Sequence, residues 1–220
     1  MEKIAKSQDP CYQTLQFNNS KIIDKIAIFL ARFFANYFWI IVDIFSYHDI
    51  EIAKYYERTI GEEYKNECKA FHIQKGKKIL HVGCGSYPLT EMTLAKLFNV
   101  KIVGIDKSKK AVMRANEVIY KKQLDREITI EQGNGANYPL EKFDMIIVSS
   151  CALPKKEIFD HIFKTAKKNS IIIIRDLDAV TDEILSCINA HKDITIEKRI
   201  HHPNPFKPLL GWNAFHLKKK

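Results

Sequence analysis

The sequence is poor in cysteine, and the five cysteines that it contains are scattered singly along the chain. An odd, dispersed set indicates reduced thiols in a cytosolic protein and argues against a disulfide framework or a zinc site. His201 and His202 are adjacent but have no third ligand near them in the sequence, so we predict no metal site. The cysteines are Cys11, Cys68, Cys84, Cys151 and Cys187.

The pattern of a secretory signal peptide is also missing. The first apolar stretch begins only at Ile22, after a mostly polar segment, and no cleavage site made of small residues follows it. Together with the scattered cysteines, this favours a cytoplasmic protein.

Acidic residues are in the minority, with 26 Asp and Glu against 35 Lys and Arg, and the net charge is +9. Such a balance is typical of proteins that bind nucleic acid or an anionic membrane. Here the lysines are spread along the whole chain, without a basic arm, a finger or an alternation of basic and aromatic residues. We therefore expect no nucleic-acid partner.

Glycine is nearly absent from the first 74 residues, where only Gly61 occurs and no strand pattern is clear. From Lys77 onward, short β-branched runs alternate with helical patterns, which indicates a doubly wound, Rossmann-like α/β sheet. We predict an N-terminal helical region over 1–74, which covers a pocket or packs on the sheet, and an α/β domain over 75–220.

The end of the predicted α/β domain departs from strict alternation, because two strands follow each other with no helix between them. This ending is typical of the class I methyltransferase topology, in which the last strand inserts antiparallel, whereas a dinucleotide-binding domain more often keeps alternating. The predicted strands cover 78–83, 101–106, 127–132, 143–149, 170–175, 193–200 and 212–218. The predicted helices cover 88–98, 108–123, 155–168 and 179–191.

The N-terminal region contains one long apolar segment, 26–42, which is at the short limit for crossing a bilayer. Arg32 lies inside it, and a central arginine costs roughly 2.5 to 3.5 kcal/mol on insertion, so a transmembrane span is disfavoured. Two alternatives remain. The segment is a helix buried against the α/β domain or lining its pocket, or the stretch 22–47 attaches to a membrane surface, for which its aromatics and the flanking Lys21 and Lys25 are suited.

A Gly-x-Gly turn, Gly83-Cys84-Gly85, directly follows the first predicted strand and precedes a helix. The two glycines allow a sharp turn and a close approach of the backbone to a ligand. A dinucleotide site requires Gly or Ala three positions after the second glycine, where this sequence has Pro88. Because proline offers no N–H to a pyrophosphate, we predict S-adenosylmethionine (SAM) as the ligand instead of NAD, with Ser86 also in contact.

Asp106 ends the second predicted strand, where an acidic side chain accepts hydrogen bonds from the ribose hydroxyls of an adenosine ligand. The alternative is an N-cap for the helix that starts near Ser108. We favour the ribose role and predict that the adjacent Lys107 also lines the site.

Two further strand ends complete the predicted SAM site. After the third strand, Asn134 and Gly135 stand where SAM-binding domains often place an acidic residue for the adenine amino group, and an asparagine oxygen can accept the same bond. An ordinary Asn-Gly turn is the alternative. Ser149 and Ser150 end the fourth strand at the mouth of the sheet. Cys151, like Cys84, is interpreted as a packing residue and not as a nucleophile.

The residues around the glycine turn resemble those of nicotianamine synthases, over about residues 60 to 180. The segments that carry the resemblance are Gly83-Cys84-Gly85-Ser86-Tyr87-Pro88-Leu89-Thr90, Leu94-Ala95-Lys96, Ala152-Leu153-Pro154-Lys155-Lys156-Glu157, and Ile171 to Ile174 with Arg175. The resemblance implies a helical N-terminal region beside a class I SAM-binding domain. It also implies transfer of the 3-amino-3-carboxypropyl group of SAM to an amine or amino acid, with release of methylthioadenosine.

The same resemblance implies two catalytic residues. The family's glutamate before the first strand falls on Glu63, with Glu62 and Glu67 as competitors because the spacing to the glycine turn is longer here; a solvated helix face is the alternative. Tyr87 lies inside the turn, within reach of the substrate or of the amino acid end of SAM. Ser86 and Tyr87 replace the second proline that is usual in the family's turn.

Other functions remain open from the sequence. One is an ordinary SAM-dependent methyltransferase that acts on a small molecule or a lipid, and another is cyclisation of the amino acid portion of SAM itself. A membrane-peripheral enzyme with a lipid acceptor and a non-catalytic SAM-binding module complete the alternatives.

Overall fold

The computed structural model describes residues 21–73, 75–98, 100–203 and 211–220. Over these residues the chain forms a seven-stranded sheet flanked by helices. The strands are β1 (Lys78–Val82), β2 (Lys101–Asp106), β3 (Ile128–Gln132), β4 (Met145–Val148), β5 (Ile171–Leu177), β6 (Ile194–His202) and β7 (Trp212–Lys219). The helices are α1 (Lys21–His48), α2 (Ile50–Ala70), α3 (Leu89–Phe98), α4 (Lys109–Lys121), α5 (Lys155–Thr165) and α6 (Thr181–Asn189).

The strand order is β3-β2-β1-β4-β5-β7-β6. The first five strands are parallel, and β7 inserts between β5 and β6, antiparallel to both. This confirms the predicted class I methyltransferase fold, including the antiparallel last strand. The chain order reverses between β1 and β4, and in such sheets ligands bind in the crevice at the carboxyl ends of these two strands.

The central strands are apolar because helices cover both faces of the sheet. In β4, Ile146 packs with residues of α5, whereas its neighbour Ile147 packs on the opposite face with residues of α2 and α3. Both side chains are completely buried. Alternate residues of one strand therefore belong to two separate cores, which explains why the strand reads as a continuous apolar run.

The two N-terminal helices form a hairpin that packs on the sheet. Asp49 caps α2, and its carboxylate accepts hydrogen bonds from the backbone N–H groups of Glu51 and Ile52 at 2.8 and 2.9 Å. Farther along α2, Ile60 is 1% exposed and belongs to the same core as Leu89 of α3. The helical region thus shares a core with the α/β region and is not separated from it by a linker.

The predicted strand and helix positions lie within a few residues of the observed ones. The largest differences are at the end of α5, which ends at Thr165 and not at 168, and in the last helix, which starts at Thr181 after a 3-10 turn over Asp178–Val180 and ends at Asn189. Cys187 is disulfide-bonded, so the expectation of reduced thiols is wrong for this residue. Cys11 lies outside the described residues.

Candidate active site

A cavity of about 640 Å³ opens at the carboxyl ends of β1 and β4. Its floor is the loop between β1 and α3, its sides are the residues after β2 and β4, and α1 and α2 cover it. The cavity therefore lies at the switch point of the sheet. Its sequence-predicted lining residues are Gly83, Cys84, Gly85, Ser86, Tyr87, Asp106, Lys107, Ser149 and Ser150.

The two glycines of the turn hold conformations that other residues rarely adopt, with φ of +87° at Gly83 and +69° at Gly85. A Cβ atom on Gly83 would lie 3.1 Å from the Cβ atom of Ala152, so the turn has no room for a side chain there. The backbone N–H of Gly83 donates to the carbonyl of Ile105 at 2.8 Å, which ties the turn to β2. On the other side of the turn, a Cβ atom on Gly85 would lie 2.7 Å from a carboxylate oxygen of Asp43, so both glycines are in close contact with neighbouring segments.

Asp106 joins the glycine turn to the start of α4. Its carboxylate accepts hydrogen bonds from the N–H of Gly85 at 3.1 Å and from the N–H of Ser108 at 2.8 Å. The N-cap of α4 is Ser108, whose hydroxyl accepts from the N–H of Ala111. Asp106 is therefore not the helix cap, and it lies half-buried at the edge of the cavity, where the predicted contact with a ribose can occur. Lys107 is exposed, and its ammonium donates to the carbonyl of Leu153 at 2.9 Å.

A smaller cavity of about 60 Å³ continues from the larger one past Gly83 and Asp106. Asn134 and Gly135 line it, as do the apolar side chains of Ile105, Leu153 and Ile158. The side-chain oxygen of Asn134 accepts from the N–H of Ala136 at 3.1 Å. Asn134 thus stabilises its own turn and also lines the small cavity beside apolar side chains, so both sequence interpretations of this residue have a structural counterpart.

A buried chain of three polar side chains reaches the cavity from β1. The Nδ1 atom of His81 lies 2.7 Å from Glu91 Oε1, and its Nε2 atom lies 2.8 Å from the hydroxyl of Ser149. Since the Glu91 carboxylate accepts, His81 Nδ1 carries the hydrogen and Nε2 accepts the Ser149 proton. His81 and Glu91 were not anticipated from the sequence. The available signal was a single imidazole inside an otherwise apolar strand.

Asp43 of α1 was also not anticipated. Its carboxylate accepts hydrogen bonds from the backbone N–H groups of Ser86 and Tyr87 at 2.7 and 2.8 Å. Desolvation raises the pKa of Asp43 to about 6, although these two N–H groups oppose the shift. Asp43 places an acidic group directly beside the glycine turn. Its signal in the sequence was one carboxylate in a long apolar segment.

Tyr87 lines the cavity and is buried. Its hydroxyl donates to Glu57 Oε1 at 2.5 Å. Burial and this carboxylate raise the pKa of Tyr87, so the phenol stays protonated near neutral pH. The Glu57 carboxylate is also paired with Lys122 at 2.8 Å. Tyr87 can therefore position a ligand, but its hydroxyl proton is donated to Glu57 and is not available to a substrate.

The structure does not bring Glu63 into the cavity. Glu63 Oε2 lies 2.8 Å from Nδ1 of His202, and Glu62 is paired with Lys65. Glu67 is fully buried and forms an ion pair with Arg175. The assignment of Glu63 as the base stays a prediction, with its carboxylate held by His202 outside the cavity wall.

Arg175, at the end of β5, lines the cavity and is itself buried. Its guanidinium donates to both oxygens of Glu67 and to the hydroxyl of Thr90, and it stacks 3.8 Å from the ring centroid of Tyr64. Although desolvation opposes it, the Glu67 carboxylate raises the pKa of Arg175. This network fixes one wall of the cavity.

Two cysteines that line the cavity, Cys84 and Cys151, are unreactive as nucleophiles near neutral pH. Burial raises the pKa of Cys151 to about 11 and that of Cys84 well above its ordinary value. Because the thiolate is the nucleophilic form, neither thiol is activated for attack near neutral pH. This agrees with the predicted packing roles.

A family model described as a methyltransferase domain matches residues 73–207. The sequence matches no curated protein. MtNAS, a nicotianamine synthase, in complex with MTA and tNA has a TM-score of 0.72 and 17% identity, over 88% of this chain and 76% of that chain. A point mutant of MtNAS in complex with S-adenosylmethionine has a TM-score of 0.73 and 17% identity, over 96% and 87%.

A putative sarcosine dimethylglycine methyltransferase from Galdieria sulphuraria has a TM-score of 0.61 and 14% identity, over 77% of this chain and 88% of that chain. At these identities the structural similarities show the fold alone. The family model, in contrast, matches more than half of the sequence. The chain therefore belongs to the methyltransferase domain family, as a SAM-dependent transferase with the class I fold.

Proposed function

We propose that this protein transfers the 3-amino-3-carboxypropyl group of SAM to a small amine or amino acid and releases methylthioadenosine. The observation that carries the proposal is the cover of the cavity by α1 and α2, which contribute Trp39, Asp43, Tyr56 and Tyr64 to its wall. The similarity to MtNAS extends over 96% of this chain, against 77% for the sarcosine dimethylglycine methyltransferase. A fold likeness that includes the helical cover supports the nicotianamine-synthase-like alternative.

The residues around the glycine turn fit SAM as the donor. Asp106 would accept hydrogen bonds from the ribose hydroxyls, and Asn134 would lie beside the adenine in the small cavity. Leu153 and Ile158 supply apolar walls there. Asp43, which is ionised above about pH 6, supplies negative charge beside the turn for the sulfonium and ammonium groups of the donor.

The acceptor amine must lose a proton before its nitrogen can attack. Ser149 and His81 both line the large cavity, and Glu91 orients the imidazole from behind. In the proposed step, the amine gives a proton to Ser149 Oγ while Ser149 gives its own proton to His81 Nε2. The resulting imidazolium is stabilised by the Glu91 carboxylate.

SAM supplies a sulfonium centre, so the new C–N bond forms as a C–S bond breaks and a neutral thioether leaves. The charge and atoms balance, because Ser149 receives the proton that the amine loses and gives its own to His81, so that one proton moves in net from the amine to the imidazole. The protein's task is then to hold the amine in line with one of the carbons bonded to sulfur. Which carbon is aligned decides the product.

Methyl transfer to a small molecule or a lipid is the second candidate, and the match to a methyltransferase family model favours it. It would use the same cavity and leave S-adenosylhomocysteine. Cyclisation of the donor's own amino acid portion would release methylthioadenosine with no acceptor present.

The deciding experiment is incubation of the protein with SAM, alone and with a panel of amino acids and polyamines, followed by mass analysis of the nucleoside. Methylthioadenosine that appears only with an acceptor supports the proposal. S-adenosylhomocysteine would overturn it in favour of methyl transfer. Methylthioadenosine in the absence of any acceptor would indicate cyclisation.

A further inference from the structure

One side of α1 exposes a row of large apolar side chains. Four of the five steps between successive members are three or four residues and one is a single residue, which places them on one broad side of the helix. Phe29 and Phe34 are 65% and 64% exposed. We call the row the α1 face, and it consists of Phe29, Phe33, Phe34, Tyr37, Ile41 and Phe45. A contiguous apolar surface of this kind marks an interaction site on a soluble fold.

The part of α1 from Phe29 to His48 is long and apolar enough to cross a membrane by length and composition, with a mean hydropathy of 1.4 and 12% of it buried. The other side of the same helix is attached to the transferase domain. The Asp43 carboxylate binds the glycine turn, Trp39 lines the cavity, and the hydroxyl of Tyr47 donates to Glu117 at 2.5 Å. A helix that a folded domain holds from Trp39 to Tyr47 can lie in a membrane surface, but this part of it cannot be surrounded by lipid.

Cationic side chains of α4 lie beside the C-terminal part of α1, and another lies on α2. The guanidinium of Arg114 lies 5.2 Å from the ring centroid of Tyr47, and the ammonium of Lys121 lies 5.9 Å from it. On α2, the guanidinium of Arg58 lies 5.5 Å from the ring of Tyr55. Exposed apolar side chains on one helix with cations on the adjoining helices are a pattern of proteins that bind anionic lipid surfaces. A second copy of the chain would instead bring two positive rims together, with a net charge of +9 on each molecule.

We propose that the α1 face binds the surface of an anionic bilayer, with its aromatic side chains in the head-group region and the cations of α2 and α4 at the phosphates. Ile40, which is 45% exposed beside this face, also lines the cavity, as do Lys110 and Arg114. The cavity mouth therefore lies next to the bilayer. That an acceptor is drawn from the membrane rests on the proposed function, whereas the docking itself does not.

Flotation with lipid vesicles tests the docking. The full-length protein is mixed with vesicles of phosphatidylcholine, or of phosphatidylcholine with phosphatidylglycerol, and centrifuged in a density gradient. We expect it to float with the anionic vesicles and to return to the soluble fraction as salt is raised. Protein that stays soluble with both kinds of vesicle overturns the proposal.

The matched variants are Phe34→Glu on the α1 face and Ile196→Glu, an exposed apolar residue of β6. In the proposed docking, Phe34 enters the head-group region of the bilayer. Phe34→Glu should therefore weaken vesicle binding about tenfold or more, whereas Ile196→Glu should leave it unchanged. Equal flotation of both variants contradicts the proposal. So does light scattering that shows a wild-type dimer which Phe34→Glu dissociates, because a second copy then occupies the face.

Retained SAM binding by both variants, measured by calorimetry, shows that they are folded. Flotation needs no turnover, so a protein that floats but forms no methylthioadenosine retains the docking proposal and loses the proposed reaction. A protein that forms methylthioadenosine but never floats retains the proposed reaction and overturns the docking.

Discussion

The imidazole of His81 and the carboxylate of Glu91 are hydrogen-bonded inside the protein, with Nδ1 and Oε1 2.7 Å apart and side-chain exposures of 3% and 0%. His81 belongs to β1 and Glu91 to α3, so the pair connects the two elements on either side of the glycine turn. The other Glu91 oxygen has no hydrogen-bond partner within the described part of the chain. Because one ring nitrogen of His81 is bonded to Glu91 and the other to Ser149, the imidazole has one orientation, with Nε2 directed at Ser149.

This geometry separates two candidate bases. For His81→Gln, whose amide can still donate to Glu91, we expect SAM affinity within about threefold of wild type and turnover lower by about 10²- to 10⁴-fold. For Glu63→Gln, whose parent side chain lies outside the cavity, we expect turnover within a few-fold of wild type. Steady-state kinetics with calorimetric SAM binding measures both. Loss of turnover in Glu63→Gln alone would restore the base that the family resemblance implies.

The ribose contact is tested by Asp106→Ala. If Asp106 accepts hydrogen bonds from the two ribose hydroxyls, as proposed, its loss should weaken SAM binding by at least about tenfold, since hydrogen bonds to charged groups contribute about 1.5 to 3 kcal/mol. Calorimetry gives the affinity, and near-ultraviolet circular dichroism shows whether the fold is retained. An unchanged affinity in a folded variant means that the ribose lies elsewhere.

The Asp43 carboxylate predicts a pH dependence of donor binding. Its pKa of about 6 means that the group is neutral below that pH and negative above it. SAM affinity should therefore rise as the pH increases from about 5 to 7, because the donor carries a sulfonium cation. In Asp43→Asn this rise should be absent. Titrations across this range with both proteins measure it, and parallel profiles would exclude Asp43 from the donor site.

The buried ion pair between Arg175 and Glu67 predicts a large stability effect. Replacing Arg175 with Met removes the guanidinium from the buried Glu67 carboxylate and leaves it only His202, whose Nε2 atom lies 3.6 Å away, which costs about 3 to 5 kcal/mol in the free energy of unfolding. The double variant Arg175→Met, Glu67→Met should lose less stability than the sum of the losses in the two single variants. Urea denaturation of the four proteins measures this cycle. Additive effects would show that the two side chains do not interact.

Local signals in the sequence were sufficient for the fold and for one half of the candidate site. The glycine turn and Asp106 lie at the carboxyl ends of the two adjacent parallel strands of one β-α-β unit, so their proximity follows from the strand order. The other half depends on contacts between distant segments. Asp43 meets Ser86 across 43 residues and Arg175 meets Glu67 across 108 residues, and no periodicity encodes such pairs.

Glu63 is a residue that the sequence indicated for the site but that the structure does not place in the cavity. Its position before the first strand was near that of a family glutamate, with a longer spacing to the glycine turn, and such a spacing does not determine which side of α2 faces the cavity. The structure turns Tyr56, Ile60 and Tyr64 toward the cavity, and it pairs Glu63 with His202 at the end of β6. Glu63, which the sequence indicated, is thus the immediate neighbour of Tyr64, which lines the cavity.

The hydrogen bonds from Ser86 and Tyr87 to Asp43 fix the glycine turn from within the chain. The backbone N–H groups of the loop just before α3 already donate to a carboxylate of the same chain. The glycine turn thus keeps its shape without a donor, and binding need not pay to order it. A donor meets a preorganised loop whose internal counter-charge has the sign that attracts a sulfonium.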